Sequence, residues 1–212
     1  MGAFSGLSEC GAEVPSFPVR AAEGGAGGEP ETERHDACLL RRIAAGDQDA
    51  MSEFYERHGR VVLGQIFLIV GERALAEEIL QDTMLAIWQG AGSFRGESRV
   101  SSWLIAIARR QARDRLRRRR LRVVDDARLA ERPSRAPGPE VIALDRAKAA
   151  EVGNAIRALA PAHREVLGLA FGTGLSLPEV ARVLRVPLGT VKSRLTAARA
   201  ALCRVLEEGQ SR

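Results

Sequence analysis

Two short helices joined by a tight turn are predicted near the C-terminus, and this pattern constrains the fold more than any other. The first helix covers residues 175–184, and the second, which is polar and basic, starts at about Gly189. Ala181 in the first helix is small, as close helix approach requires. The apolar residues that can interlock the two helices are Val180, Leu184, Val191, Leu195 and Leu202. This pattern is typical of a helix-turn-helix, whose second helix enters the major groove of DNA.

The second helix leaves a set of polar side chains for solvent or DNA. Arg and Lys can donate hydrogen bonds to guanine edges or to phosphates, and Thr and Ser can donate to phosphates near a helix N-terminus. The residues available for such contacts are Thr190, Lys192, Ser193, Arg194 and Arg199. Base reading and phosphate contact remain open for each residue. An ordinary helical hairpin with a solvated polar face is the alternative to DNA binding.

The composition favours an all-α fold over the rest of the chain. Ala, Leu, Arg and Glu dominate, only 4% of the residues are aromatic, and turn residues do not recur at strand spacing. We predict two small helical domains, at residues 36–122 and 140–208, the second a four-helix unit that contains the helix-turn-helix. A flexible, Pro-containing linker joins them at residues 123–139. Residues 1–35 are acidic and Gly-rich, which predicts a disordered leader or indicates an upstream start codon.

The chain has a net charge of +5, and the excess of basic residues lies beyond the leader, since residues 1–35 hold six acidic residues against two Arg. The densest cluster is the second half of a helix predicted over about Glu97–Arg122, where nine Arg residues fall between 109 and 122. Because Trp103 and a loop containing Phe94 lie beside it, the cluster suits phosphate contact combined with base stacking. A solvated basic face near a helix C-terminus is the alternative. A basic body fits a polyanionic partner such as nucleic acid.

An acidic face is predicted on the preceding helix, over about Glu72–Trp88. Its residues are Glu77, Glu78, Gln81 and Asp82. No nearby His or Cys has metal-ligand spacing, and the sequence has no Gly-rich phosphate-binding loop, so protein docking or solvation is favoured over catalysis. The sequence therefore predicts no enzymatic activity, no metal site and no cofactor.

The three cysteines are odd in number and far apart, so no disulfide framework is predicted. No apolar run reaches membrane-spanning length, and the N-terminus lacks the basic start and apolar segment of a secretory signal. We expect a cytoplasmic protein that does not insert into a membrane.

Two motifs occur in an order and at a separation that are typical of one protein family. The first is AEEILQDTMLAIW at residues 76–88, followed by FRG at 94–96 and WLIAIAR at 103–109. The second is ALAPAHREVL at residues 158–167, followed by the helix-turn-helix through GTVKSRL at 189–195. In these features residues 36–208 resemble an extracytoplasmic-function (ECF) RNA polymerase sigma factor of the bacterial sigma-70 family.

The resemblance implies a role for each domain. The first domain, as sigma region 2, would grip the clamp of the polymerase largest subunit, with Glu77, Glu78, Gln81, Asp82 and Trp88 as the contacting residues. The same domain would melt and recognise the minus-ten element, through Phe94, Arg95, Trp103, Arg109, Arg110, Arg113 and Arg117. The second domain, as sigma region 4, would read the minus-thirty-five element with Thr190, Lys192, Ser193, Arg194 and Arg199, and would sit on the polymerase flap.

The resemblance also implies the partners of the chain. These are core RNA polymerase, promoter DNA and an anti-sigma factor, often membrane-bound, that would hide the polymerase and DNA faces. The linker would thread through the polymerase between the two domains.

The sequence departs from the family pattern at four positions. Glu78 replaces the usual Asp, and Arg110 replaces the usual Asn, so minus-ten contacts could differ. Arg185 stands in the turn of the helix-turn-helix where Gly is frequent, and a positive φ there would cost roughly 1 kcal/mol. Pro187 replaces a Ser cap, with a loss of about 1 kcal/mol. Neither change should abolish the fold.

Two other classes of protein carry a similar C-terminal motif. A response-type transcription regulator needs an α/β receiver or ligand domain upstream, and a serine recombinase needs an α/β catalytic domain with a nucleophilic Ser. The helical pattern of residues 36–122 argues against both. Strong helix and little strand in circular dichroism would favour the sigma factor.

Overall fold

The computed structural model describes residues 28–125 and 153–210, and all regular structure within these two ranges is helical. The elements are α1 (Gly28–Ala44), α2 (Gln48–Val70), α3 (Arg73–Gly90), a 3₁₀ turn (Ala91–Ser93), α4 (Val100–Asp125), α5 (residues 153–158), α6 (Pro161–Gly172), α7 (Leu177–Leu184) and α8 (Leu188–Gln210). The all-α prediction is confirmed. The predicted linker beyond residue 125, and the first part of the helix predicted to follow it, lie outside the described residues.

The long helix α2 begins and ends where local chemistry dictates. Asp47 caps its N-terminus, since Oδ1 accepts a hydrogen bond of 3.0 Å from the backbone N–H of Ala50. Gly71 follows its C-terminus in a left-handed conformation (φ 76°) and donates its N–H to the carbonyl of Phe67 at 2.8 Å. Between these ends, Phe54 and Ile66 are fully buried. α2 therefore forms the spine against which α1, α3 and α4 pack.

The first helix starts earlier than the sequence predicts. Residues 28–35 belong to α1, although their composition placed them in the leader. The reason is tertiary, because the acidic side chains of α1 find partners on other helices. Glu33 Oε1 accepts a 2.5 Å hydrogen bond from the N–H of Val100 and so caps α4 from outside. Asp36, 3% exposed, accepts a 2.9 Å hydrogen bond from Arg57 Nε on α2.

Asp36 also lies 3.1 Å from His58 Nε2. Burial alone would raise the pKa of the Asp36 carboxyl, but the hydrogen bonds and positive charges of His58 and Arg57 outweigh burial and hold this pKa below its ordinary value. α1 is thus joined to α2 through a buried ionic contact as well as through apolar packing by Leu39, Leu40 and Ile43.

The C-terminal unit, α5 to α8, contains the predicted helix-turn-helix. Ser176 and Glu179 form a capping box at the start of α7, with Glu179 Oε2 accepting from the Ser176 N–H at 2.8 Å and from its hydroxyl at 2.6 Å. Arg185 ends α7 in the left-handed conformation (φ 56°, ψ 48°). α8 then starts at Leu188, and in its first turn the carbonyl of Pro187 accepts a 2.9 Å hydrogen bond from the N–H of Thr190.

The two helical units pack against each other, α6 on α2 and α7 on α4. One buried apolar cluster extends through both, from Leu39 in α1 to Ala198 in α8. Gln65 of α2 donates a hydrogen bond of 2.9 Å to the carbonyl of Gly168 in α6. The helices approach so closely here that a Cβ atom on Gly168 would overlap Leu68 Cδ1. This packing is additional to the predicted architecture of two domains and a linker, and no sequence signal indicated it.

Candidate nucleic-acid interface

The start of α8 presents a polar surface because its apolar residues are turned towards α7. Val191 and Leu195 are buried, whereas Lys192 and Ser193 between them are exposed. Thr190 and Arg194 are half-buried at the edges of the same surface. The helix period therefore separates the core side of α8 from a side that carries hydroxyl and cationic groups. Four of the five residues predicted to contact the minus-thirty-five element thus lie together at the first turns of α8.

Arg199, two turns further along α8, has a second environment. Its guanidinium carbon lies 5.2 Å from the ring centroid of Phe171 at the end of α6, which is a cation–π distance. Phe171 is 41% exposed, so the pair lies at the surface of the unit. The contact restricts the Arg199 side chain, and no sequence pattern indicates it because the two residues lie far apart along the chain.

A pair of aromatic rings lies where the loop after α3 meets α4. The ring centroids of Phe94 and Trp103 are 5.4 Å apart with the planes inclined at 60°. Both side chains are half-buried, and Arg95 beside them is exposed. Two supported aromatic faces next to a cation form the kind of surface on which an unpaired base can stack.

The Arg-rich part of α4 divides into two groups. Arg110 and Arg117 are exposed, with 84% and 73% of their side chains accessible, and each forms an ion pair with Asp114 on its own helix, at 3.9 and 3.6 Å. Arg109 and Arg113 instead bind Glu165 of α6, each at 2.6 Å. Because the rise of an α-helix is 1.5 Å per residue, Trp103 and Arg117 lie about 20 Å apart along α4. The seven residues predicted for the minus-ten element therefore form an extended track, in which the Arg109 side chain is only 14% exposed while that of Arg113 is 54% exposed.

The acidic face of α3 is present but partly neutralised. Glu77 accepts a 2.8 Å hydrogen bond from Arg73, and Glu78 accepts one of 2.7 Å from Arg115 on α4. Gln81 and Asp82 are exposed, and Trp88 is half-buried against the core. The five predicted polymerase-binding residues thus comprise four surface polar groups and one packing residue.

Sequence reasoning missed two residues that the structure places at these surfaces. Leu85 is 55% exposed on α3, one turn beyond Gln81 and Asp82, and its helical spacing from them was a signal that could have identified it. Glu165 is 6% exposed and joins two of the predicted DNA-binding Arg residues. No pattern in the sequence indicates Glu165, since its partners lie more than fifty residues away.

The described part of the chain was also searched for metal sites and for membrane-spanning helices. It contains no group of three or more His, Cys, Asp or Glu side chains that could hold a metal ion. Within the same residues, no helix is long and apolar enough to cross a membrane.

Comparison with known protein families gives a match for each of the two helical units. The family model for sigma-70 region 2 matches residues 54–122, and the model for sigma-70 region 4 matches residues 155–203. The chain is 32% identical to the RNA polymerase sigma factor NccH of Alcaligenes xylosoxydans xylosoxydans over 179 residues, which cover 82% of this chain and 96% of NccH. It is 38% identical to the ECF RNA polymerase sigma factor SigM of Mycobacterium tuberculosis over 179 residues, 82% of this chain and 86% of SigM.

Solved structures include a similar fold. CnrH, whose structure was solved in complex with the cytosolic domain of CnrY, superposes with a TM-score of 0.58 at 25% sequence identity. The match covers 82% of this chain and 98% of CnrH.

Proposed function

Because this chain belongs to the extracytoplasmic-function group of the sigma-70 family of RNA polymerase sigma factors, we propose how its promoter and polymerase contacts are divided between its two helical units. A sigma factor is a transcription initiation factor and not an enzyme. It binds core RNA polymerase and promoter DNA and directs initiation at specific promoters. What remains to be assigned is which residues of this chain make each contact.

We assign the minus-thirty-five element to the first turns of α8. The observation that carries this assignment is the segregation of α8, in which Val191 and Leu195 are buried while Lys192 and Ser193 are exposed. Lys192 and Arg194 would donate to base edges or phosphates, and the hydroxyls of Thr190 and Ser193 would donate to phosphates near the helix N-terminus. Arg199, held against Phe171, would contact the DNA backbone beyond the base-reading residues.

We assign the minus-ten element to the aromatic pair and the Arg track of α4. An unstacked base of the non-template strand would stack on Phe94 or Trp103 beside Arg95. The strand would then run along α4 past Arg109, Arg110, Arg113 and Arg117, which neutralise its phosphates. Residues 36–122 would act in this way as region 2, and residues 140–208 as region 4.

We assign polymerase docking to α3. Glu78, Gln81 and Asp82 supply a polar, acidic surface, and the exposed Leu85 supplies apolar area at its centre. Such a combination of an apolar centre with a charged rim is typical of protein interfaces. Glu77 would lie at the rim, and Trp88 would support the helix from beneath.

We further propose that the chain is cytoplasmic and controlled by an anti-sigma factor. CnrH, which this chain resembles in sequence and fold, binds the cytosolic domain of CnrY. A protein of that kind would cover the polymerase and DNA faces, and a membrane-bound form of it would hold the chain at the membrane until released.

Transcription from genomic fragments of the source organism, with purified chain and core RNA polymerase, tests the assignment. Wild type should give discrete start sites that are absent with core polymerase alone. Lys192→Ala combined with Arg194→Ala should reduce promoter-specific initiation while polymerase binding persists. Arg157→Ala combined with Arg204→Ala removes the same charge from exposed positions elsewhere in the unit and should have no such effect. Unchanged transcription in the first double variant would refute the α8 assignment.

A further inference from the structure

The loop between the 3₁₀ turn and α4 carries part of the surface proposed to receive an unpaired base. Phe94 begins this loop and Arg99 ends it, and Gly96 within it has a positive φ of 72°. The ring of Phe94 lies 5.4 Å from the ring of Trp103, which belongs to the first turn of α4. Because helix geometry is regular, the position of Trp103 follows from where α4 begins. The geometry of the aromatic pair therefore depends on how the two ends of the loop are held.

The first end of the loop is held by α1. This helix packs against the 3₁₀ turn Ala91–Ser93, in which Ala91 is buried. The N–H of Phe94 donates a hydrogen bond of 3.1 Å to the carbonyl of Ala91. The backbone of Phe94 is thus tied to a turn that is itself packed on α1.

The second end of the loop is the N-terminus of α4, where the local sequence lacks a suitable cap. Arg99 occupies the N-cap position, since its carbonyl accepts a 3.1 Å hydrogen bond from the N–H of Trp103. An Arg side chain has donors but no acceptor, so it cannot bond to the N–H groups that the first turn of a helix leaves unpaired. The first turn also contains no acidic residue. An acceptor for these groups must come from water or from another part of the chain.

Glu33 of α1 supplies such an acceptor. Its Oε1 accepts a 2.5 Å hydrogen bond from the N–H of Val100. Val100 is fully buried, so an unpaired N–H at this position would be costly. Glu33 Oε2 lies 3.6 Å from Arg99 Nε, which attracts the carboxylate from the other side. A negative charge at this end of α4 is also favoured by the helix dipole.

We propose that Glu33 is a positioning residue for minus-ten recognition, which fixes the start of α4 and so the geometry of Phe94 and Trp103. The inference rests on the proposed function, since it requires this aromatic pair to receive the unpaired base. Glu33 lies 67 residues before Val100 in the chain and acts through it rather than on a base. Without the carboxylate, the first turn of α4 frays and the two rings sample several arrangements. A correct base then loses part of its advantage over an incorrect one.

The test compares initiation with core RNA polymerase on a promoter that wild type uses and on two derivatives of it. One derivative has a base changed in the minus-ten element, and the other has a base changed in the minus-thirty-five element. Glu33→Ala removes the cap, and Glu33→Gln keeps an acceptor oxygen. Glu31→Ala is the matched control, because it removes the same charge from an exposed position of α1. A ratio of initiation rates on two promoters does not depend on the fraction of folded protein, so it separates positioning from a general loss of stability.

The minus-ten change should reduce initiation by wild type about tenfold, as expected for one mismatched base pair. The same change should reduce initiation by Glu33→Ala only about threefold, because loss of a helix cap weakens the preference for the correct base. The response of Glu33→Ala to the minus-thirty-five change should stay that of wild type. Glu33→Gln and Glu31→Ala should discriminate nearly as wild type does at both elements.

The outcomes separate this inference from the proposed function. Wild-type discrimination in Glu33→Ala, or an equal loss at both elements, would overturn the inference. Phe94→Ala reports on the proposed function, because it removes one ring of the pair and should lose minus-ten discrimination. A loss in Phe94→Ala with none in Glu33→Ala contradicts only the role of Glu33, whereas full discrimination in Phe94→Ala refutes the minus-ten assignment and this inference with it.

A second variant covers the case in which Glu33→Ala loses its helical circular dichroism. Glu33→Ala combined with Arg99→Asn then takes its place, because Asn at the N-cap supplies an acceptor oxygen from the residues of α4 itself. Recovery of the fold and of wild-type minus-ten discrimination would support capping as the route by which Glu33 acts. Failure to recover either would contradict it.

Discussion

At the scale of single residues, Arg185 illustrates how a turn imposes its geometry on a side chain that does not favour it. The turn between α7 and α8 requires a left-handed residue, and Arg185 takes that conformation at φ 56°. Its N–H donates to the carbonyl of Arg182 at 3.2 Å. The strain expected from an Arg at this position is thus present in the fold.

Replacing Arg185 by Gly should stabilise the chain. We expect Arg185→Gly to raise the free energy of unfolding by up to about 1 kcal/mol, because Gly adopts a positive φ without the Cβ clash. Arg182→Gly is the matched control, since Arg182 lies inside α7, where Gly costs about 1 kcal/mol. Urea titration followed by circular dichroism measures both. A decrease for Arg185→Gly as large as that for Arg182→Gly would contradict the argument.

Glu179 gives the stability of the helix-turn-helix a predictable dependence on pH. Burial acts to raise the pKa of the Glu179 carboxyl, but hydrogen bonds from Ser176 and the positive charges of Arg99 and Arg182 outweigh burial and lower it. A lowered folded-state pKa contributes stability that is complete above the unfolded pKa, about 4.3 for Glu, and is lost as the pH falls through the folded value.

Glu179→Gln should therefore be less stable than wild type at pH 7, by about 1 kcal/mol as for other helix caps. The difference in the free energy of unfolding between the two proteins should narrow as the pH falls below about 4.3, the pKa of a Glu side chain in the unfolded chain. Urea unfolding at a series of pH values tests this, with Glu56→Gln as an exposed control that should differ little from wild type. A gap that stays constant down to low pH would exclude the ionised carboxylate as its cause.

At the scale of elements, α3 shows how a helix can serve both a core and a partner. Leu75, Ile79 and Ile87 are buried, while the opposite side carries Gln81, Asp82 and the exposed Leu85. Leu85, which is 55% exposed within this polar stripe, is the apolar residue that the proposed docking surface places at its centre.

Leu85→Arg should weaken binding to core RNA polymerase by at least about tenfold, since central apolar contacts of an interface commonly contribute more than 1 kcal/mol. The fold should be unaffected because the side chain lies at the surface. Val61→Arg, at a 39% exposed position on α2, is the control and should bind normally. Fluorescence anisotropy of labelled chain titrated with core polymerase measures both affinities. Equal affinities would remove Leu85 from the interface.

Some helix boundaries can be predicted from the residues next to them, and others cannot. Asp47 and Gly71 delimit α2 by their own chemistry, as an N-terminal cap and as a left-handed glycine after the last turn. α4 starts at Val100 rather than at about Glu97, and the N–H of Val100 is satisfied by Glu33 from another helix. An end set by a cap from another helix cannot be read from the residues next to it.

At the scale of the whole molecule, the excess of Arg is only partly available for DNA. Several Arg residues of α4 form ion pairs with acidic residues of other helices. Arg119 pairs with Glu72, and Arg115 pairs with Glu78. Arg109 and Arg113 both pair with Glu165. These acids hold α4 to α3 and α6. Arg110 and Arg117, with 84% and 73% of their side chains exposed, are the most accessible Arg residues of the proposed minus-ten group on α4.

The salt dependence of single-stranded DNA binding should report on these exposed residues. Each phosphate neutralised contributes about −0.7 to the slope of log affinity against log salt for single strands. Arg110→Gln combined with Arg117→Gln should thus make the slope shallower by about 1.4. Arg60→Gln combined with Arg204→Gln removes the same charge from other exposed sites and should leave the slope nearly unchanged. Equal slopes for all three proteins would indicate that neither pair touches the strand.

The residues and their spacing along the chain were sufficient to predict the helical class, the helix-turn-helix with its strained turn, and the family. Each depends on local chemistry, such as the period of apolar residues, turn geometry and contiguous motifs, which short stretches of chain carry in full. The packing of the helices was needed to show that α1 begins at Gly28, that Glu33 caps α4, and that Glu165 binds Arg109 and Arg113. These features pair charges that are far apart in the chain, and the energy of such a pair depends on burial and distance, which exist only once the helices have packed.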